Sequence, residues 1–201
     1  MKKLLTTTIA GLMLAVAAPA AAGDSADQPD QNLPSASAPK SVDQLEPKVA
    51  KEARLLLSGY HGLPSKQLLE QKLPNTRQVL MAYAQDDRAF PLYRKRALRA
   101  LGYYADAEVK SLYESMLADD TTEEMVRHAL IGLLAEHFGA DSVPTIAPYL
   151  SSDDVQLRLT AVEALRRVDA DSAQDALREA KKDETNEIVK RRLEEATRVV
   201  K

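Results

Sequence analysis

Residues 157–165 read Leu-Arg-Leu-Thr-Ala-Val-Glu-Ala-Leu, and near-copies of this pattern recur on both sides of it at almost constant spacing. Aligning Tyr93, Val126, Leu157 and Val189 gives steps of 33, 31 and 32 residues. Each copy follows an acidic turn: Asp86-Asp87, Asp119-Asp120, Asp153-Asp154 and Asp183-Glu184. A period in this range, with apolar residues at helical spacing, is the sequence signature of a helical solenoid.

The aligned columns carry the physical argument. Column one is apolar in every copy, and so is the column four residues on, Ala97, Leu130, Ala161 and Leu193, which shares its helix face. Ala100, Leu133, Ala164 and Ala196 are small or apolar, as close helix approach requires. Leu98, Ile131 and Val162 give way to Glu194, while Leu101, Leu134 and Leu165 give way to Thr197. Polar substitution in the last copy alone suits a terminal cap, because no further repeat covers it. A preceding helix accompanies each copy, around Val79, Leu80 and Tyr83; Val109, Leu112, Met116 and Leu117; Val143, Ile146 and Leu150; and Ala173, Ala176, Leu177 and Ala180. One pair cannot bury both apolar faces, whereas a stack can. Four helix pairs over residues 75–201 are expected. Pro144 fits a first helical turn, but Pro148 lies deeper and predicts a kink.

Upstream, residues 45–74 depart from the repeat and read as an N-terminal helical cap. Ser41 with Gln44 resembles a capping box at its start. Gly59, Gly62 and Pro64 end the first cap helix, Ser65 caps a second through Leu73, and Pro74-Asn75 breaks the chain again. Residues 23–44 are rich in Pro, Ser, Ala and Asp and read as a flexible, slightly acidic, disordered linker. Lys2 and Lys3, the apolar run at 4–18 and Ala20-Ala21-Ala22 before Gly23 read as a secretory signal peptide over 1–22, cleaved near Ala22. The run is too short for a membrane anchor, which needs about 20 apolar residues. A periplasmic or secreted location follows, with no stable membrane insertion after cleavage.

Composition narrows the chemistry. The 201 residues are 45% hydrophobic yet only 4% aromatic, with no Trp, so Leu, Ala and Val must build the core. Without cysteine the chain has no disulfide, no thiolate metal ligand and no Cys nucleophile. The formal net charge of −3 and a pI near 5.7 speak against nucleic acid as the partner. No HExxH, EF-hand, P-loop, GxSxG or dinucleotide fingerprint occurs. His61, His128 and His137 are the three histidines, and the nine-residue step between the last two does not give a helical ligand pair. Neither catalytic residues nor a metal or cofactor site are expected.

The second-helix motif, apolar-basic-x-x-Ala-apolar-x-Ala-Leu after an acidic turn, resembles that of the HEAT-repeat family, including its short bacterial variety. It runs from Tyr93-Arg94 to Ala100-Leu101, Val126-Arg127 to Leu133-Leu134, Leu157-Arg158 to Ala164-Leu165, and more weakly from Val189-Lys190 to Ala196. The resemblance implies an all-α fold, a short right-handed α-α superhelix of HEAT-like pairs. It also implies that the basic column Arg94, Arg127, Arg158 and Lys190 pairs with turn acids to set the register between repeats, as mostly exposed pairs worth about 0 to 1 kcal/mol each. The second helices would line a concave face. Their polar positions, Lys95, Arg99, Tyr103, His128, Glu136, Glu163, Arg166, Arg167, Arg191, Glu195 and Arg198, are then the candidate contacts for a protein or peptide partner. Tyr103 or Tyr104 would be the aromatic anchor, with Tyr60, Tyr83, Tyr93, Tyr113 and Tyr149 in core positions. The function expected is a non-enzymatic exported binding scaffold. The alternatives are a structural or assembly factor of an envelope complex and, less favoured by the leader and the acidity, a HEAT-like enzyme such as a bilin lyase or DNA glycosylase.

Overall fold

A computed structural model describes residues 39–59 and 62–198, and among these every regular element is helical. Two cap helices come first, α1 (Pro47–Ser58) and α2 (Lys66–Lys72). Four pairs follow: α3 (Thr76–Gln85) with α4 (Pro91–Leu101), α5 (Ala107–Ala118) with α6 (Glu124–Phe138), α7 (Val143–Ile146) with α8 (Val155–Leu165), and α9 (Asp171–Asp183) with α10 (Glu187–Ala196). The second helices α4, α6, α8 and α10 pack in sequence against one another, and each also packs on its own first helix.

The starts of these helices follow from local chemistry. Asp106 Oδ1 accepts from the N–H groups of Glu108 and Val109, both at 3.0 Å, and Asp154 Oδ1 accepts from Gln156 N–H at 2.7 Å. Asn186 and Ser65 cap α10 and α2 in the same way. Such a cap stabilises its helix by about 1 kcal/mol. Pro47 and Pro91 instead open α1 and α4, where a missing N–H costs nothing.

Two expectations at the N-terminus are corrected. Ser41 makes no capping bond; Gln44 Oε1 accepts from the Lys40 N–H at 2.7 Å, and the α-helix waits until Pro47 because a residue preceding proline avoids the helical region. Nor does irregular chain extend through residue 44. Val42–Gln44 form a 3-10 turn held by the buried Asp86, whose Oδ2 accepts from the Val42 N–H at 2.9 Å. The expected signal peptide, and most of the expected linker, lie outside the described residues.

The interior is the predicted ladder. Leu98, Ile131 and Val162 are fully buried, as are Leu101, Leu134 and Leu165, each burial stabilising by about 1.5–3 kcal/mol. Their counterparts in α10 behave differently: Glu194 is exposed and Thr197 half-buried, its hydroxyl turned back to the Leu193 carbonyl at 2.7 Å. Pro144 occupies the first turn of α7, and at Pro148 the helix has already tightened into a 3-10 segment, Ala147–Ser151. Lacking an N–H, Pro148 cannot extend the α ladder.

Three tyrosines join successive units. The hydroxyls of Tyr83, Tyr113 and Tyr149 donate to the carbonyls of Ala50 (2.6 Å), Leu98 (2.6 Å) and Leu117 (2.9 Å). The Leu98 bond has a clear cause. At the end of α4 the Gly102 N–H turns to Arg99 and Ala100, so the Leu98 carbonyl is left for the phenol of the next helix. Burial raises the pKa of all three phenols and keeps them protonated donors.

Candidate interaction face

The basic column begins every second helix, one residue after column one. Arg94 is buried, donating from Nε to the Ala84 carbonyl at 3.0 Å, with Nη1 3.6 Å from Glu123. Arg127 donates to the carbonyls of Thr122 (3.0 Å) and Asp120 (2.6 Å). Arg158 donates to the Ser152 carbonyl at 2.6 Å and forks onto Glu184, Nε to Oε2 at 2.9 Å and Nη2 to Oε1 at 3.3 Å. Lys190 is exposed.

Among the described residues none of the four makes an ion pair with a turn aspartate. Guanidinium forks satisfy turn carbonyls, and the acids they reach, Glu123 and Glu184, belong to the following turn. The expectation of mostly exposed pairs also fails for Arg158 and Glu184, whose side chains are 14% and 6% accessible. Asp86 is drawn away altogether, toward Val42 and Arg88.

The polar positions of the second helices divide into engaged and open groups. Tyr103 donates to the Pro64 carbonyl at 3.1 Å and Tyr104 to Glu70 Oε1 at 3.2 Å, with Lys66 Nζ 4.7 Å above the Tyr104 ring. Both rings therefore fasten α4 to the cap, and the expected aromatic anchor is spent on that contact, although Tyr103 stays partly exposed. Glu163, expected to face a partner, is also committed. Its Oε2 accepts from Arg166 at 2.8 Å, and its Oε1 lies 2.8 Å from Arg192 Nε, an ion pair without hydrogen-bond alignment. Arg167 donates to the Glu163 carbonyl at 3.0 Å, and Glu195 pairs with Arg192 at 2.9 Å. Lys95, Arg99, Glu136, Arg191 and Arg198 are exposed.

An open groove between α4 and α6 gathers Lys95, Glu123, Glu124, Met125, His128 and Ala129. Met125 is 62% exposed, and the residues aligned with it, Leu92 and Ile188, are 43% and 55% exposed. Large apolar side chains thus stand in solvent immediately before column one in three of the four copies, the third carrying Gln156 there. The repeat alignment contains this row, but an apolar residue beside a buried apolar column carries no mark of its exposure in sequence. His128 is the other residue whose surroundings the sequence concealed: Nδ1 lies 2.6 Å from Thr160 Oγ1 on α8, and Nε2 lies 3.4 Å from Glu124 Oε1. His61 and Tyr60 fall outside the described residues.

Residues 122–198 match the family described as HEAT repeats. That span carries HEAT repeats. The matched span holds α6 to α10, the second helix of one pair and two complete pairs after it. The α3–α4 pair and α5 continue the same alternation upstream. No curated protein and no solved structure matches the chain. HEAT repeats generally act as helical scaffolds for protein interaction, and no helix among the described residues is long and apolar enough to cross a membrane.

Proposed function

We propose that this chain is an exported, non-enzymatic scaffold that binds a protein or peptide along its second-helix face. The row Leu92, Met125 and Ile188 carries the reading. Leaving three large apolar groups in water at one register position is unfavourable for a free monomer, and a partner laid along the second helices, crossing Gln156 in the third, would cover them. Lys95 lies beside Met125 in the groove and would supply orienting charge. The leader-like residues 1–22 support export.

A photo-crosslinking residue placed at Met125 in intact producing cells should trap a discrete partner, whereas the same residue at exposed Lys182, on the first helix α9, should not. The double variant Leu92→Asp, Met125→Asp should lose that crosslinked band, introduced at Lys95, while keeping native circular dichroism. Equal trapping from both faces would defeat the assignment. Mass spectrometry of the mature protein should show Met1 to Ala22 removed, and their retention would defeat the export reading.

A further inference from the structure

We propose that Glu124, His128 and Asp154 form a divalent transition-metal site that clamps α6 to α8. One ligand atom from each residue lies within 4.8 Å of the other two. The first two occupy i and i+4 positions on α6, and the third comes from the N-cap of α8, so a metal would bridge adjacent repeats.

The imidazole is set for this role by a neighbour outside the cluster. The Thr160 hydroxyl has a single proton and donates it to the Gln156 carbonyl at 2.9 Å. Its oxygen, 2.6 Å from His128 Nδ1, is then placed to accept from the tautomer that carries its proton on Nδ1. In that tautomer the Nε2 lone pair is available to a metal, 3.4 Å from Glu124 Oε1. Orientation of a ligand histidine through its other ring nitrogen is the usual supporting arrangement in metal sites. Asp154 keeps its place because Oδ1 already accepts from the Gln156 N–H.

Distances and donor types select the ion. Ligands about 2.0 Å from a tetrahedral metal stand about 3.3 Å apart, so the Glu124–His128 separation already fits. Glu124 is 66% exposed and free to rotate inward and close the remaining gap. One imidazole nitrogen with two carboxylate oxygens suits zinc or nickel, whereas calcium and magnesium prefer all-oxygen sets. Water would complete the coordination. The site borders the Met125 groove, and its occupancy would stiffen the second-helix face there.

Isothermal titration of the full chain with Zn²⁺ should give saturable one-to-one binding and a raised thermal midpoint, with calcium and magnesium giving neither. His128→Ala and Asp154→Asn should abolish binding, while His137→Ala should leave it intact. Thr160→Val, which removes the partner of His128 Nδ1 but no ligand atom, should weaken binding about 10- to 100-fold by releasing the imidazole. Bound Co²⁺ should show the visible absorption of a four- or five-coordinate site in the parent and lose it in His128→Ala. Absence of saturable zinc binding, or undiminished binding by a folded His128→Ala, would overturn the site. Neither outcome bears on crosslinking from Met125, so the two proposals fail separately.

Discussion

Arg158 and Arg178 both face a carboxylate, yet their surroundings give the two pairs unequal weight. Arg158 and Glu184 are 14% and 6% accessible, whereas Arg178 and Asp175 are 55% and 72% accessible. Removing Arg158 leaves the Glu184 carboxylate buried with only the Asn186 N–H on it, so Arg158→Ala should cost about 3 kcal/mol in urea unfolding. Arg178→Ala should change stability by less than about 0.5 kcal/mol, because water screens an exposed pair. A second residue-scale expectation concerns Asp86. Burial opposes its charge, but the N–H groups of Val42 and Arg88 and the Arg88 guanidinium outweigh this and hold its pKa below the ordinary 3.8. A lowered carboxylate pKa stabilises the fold above the unfolded value and loses that contribution as pH falls through the folded one. Hydrogen exchange at the Val42 amide should therefore be protected at pH 6, stay protected at the ordinary carboxylate value of 3.8, and lose protection only as pH falls further. Asp86→Asn should remove that pH dependence.

At the scale of elements, the joints between helices matter more than the helices themselves. The tyrosine bonds satisfy carbonyls near helix ends, which is where a solenoid joint leaves backbone acceptors without partners. Tyr113→Phe strands the buried Leu98 carbonyl and should cost about 1–3 kcal/mol by thermal unfolding. Tyr149→Phe should cost less, since its ring is only half-buried and water can replace the lost donor. The broken α7 shows the converse case. Pro148 removes one helical bond, and the chain tightens into a 3-10 segment that still buries Leu150.

For the molecule as a whole, the polar face of α10 decides whether a further surface can stack on it. Glu194 and Thr197 stand where Leu98 and Leu101, and their equivalents in α6 and α8, are fully buried. Glu194→Leu with Thr197→Leu would give α10 the apolar face of an interior repeat. Sedimentation velocity should then show concentration-dependent self-association while helical content is kept, because an uncapped solenoid end seeks another surface.

The sequence by itself determined the helix pairs, their period, the buried columns and the polar last copy. Each of these depends on spacing along one helix, which a period of 3.6 residues converts directly into a shared face. Only the tertiary structure decided what meets across neighbouring repeats. Arg158 reaches Glu184, Glu163 is held by Arg192, and His128 meets Thr160 and Asp154 because stacking sets the rotation of each pair on the last. Residues about thirty apart become neighbours through that rotation, and no periodicity within a single helix encodes it.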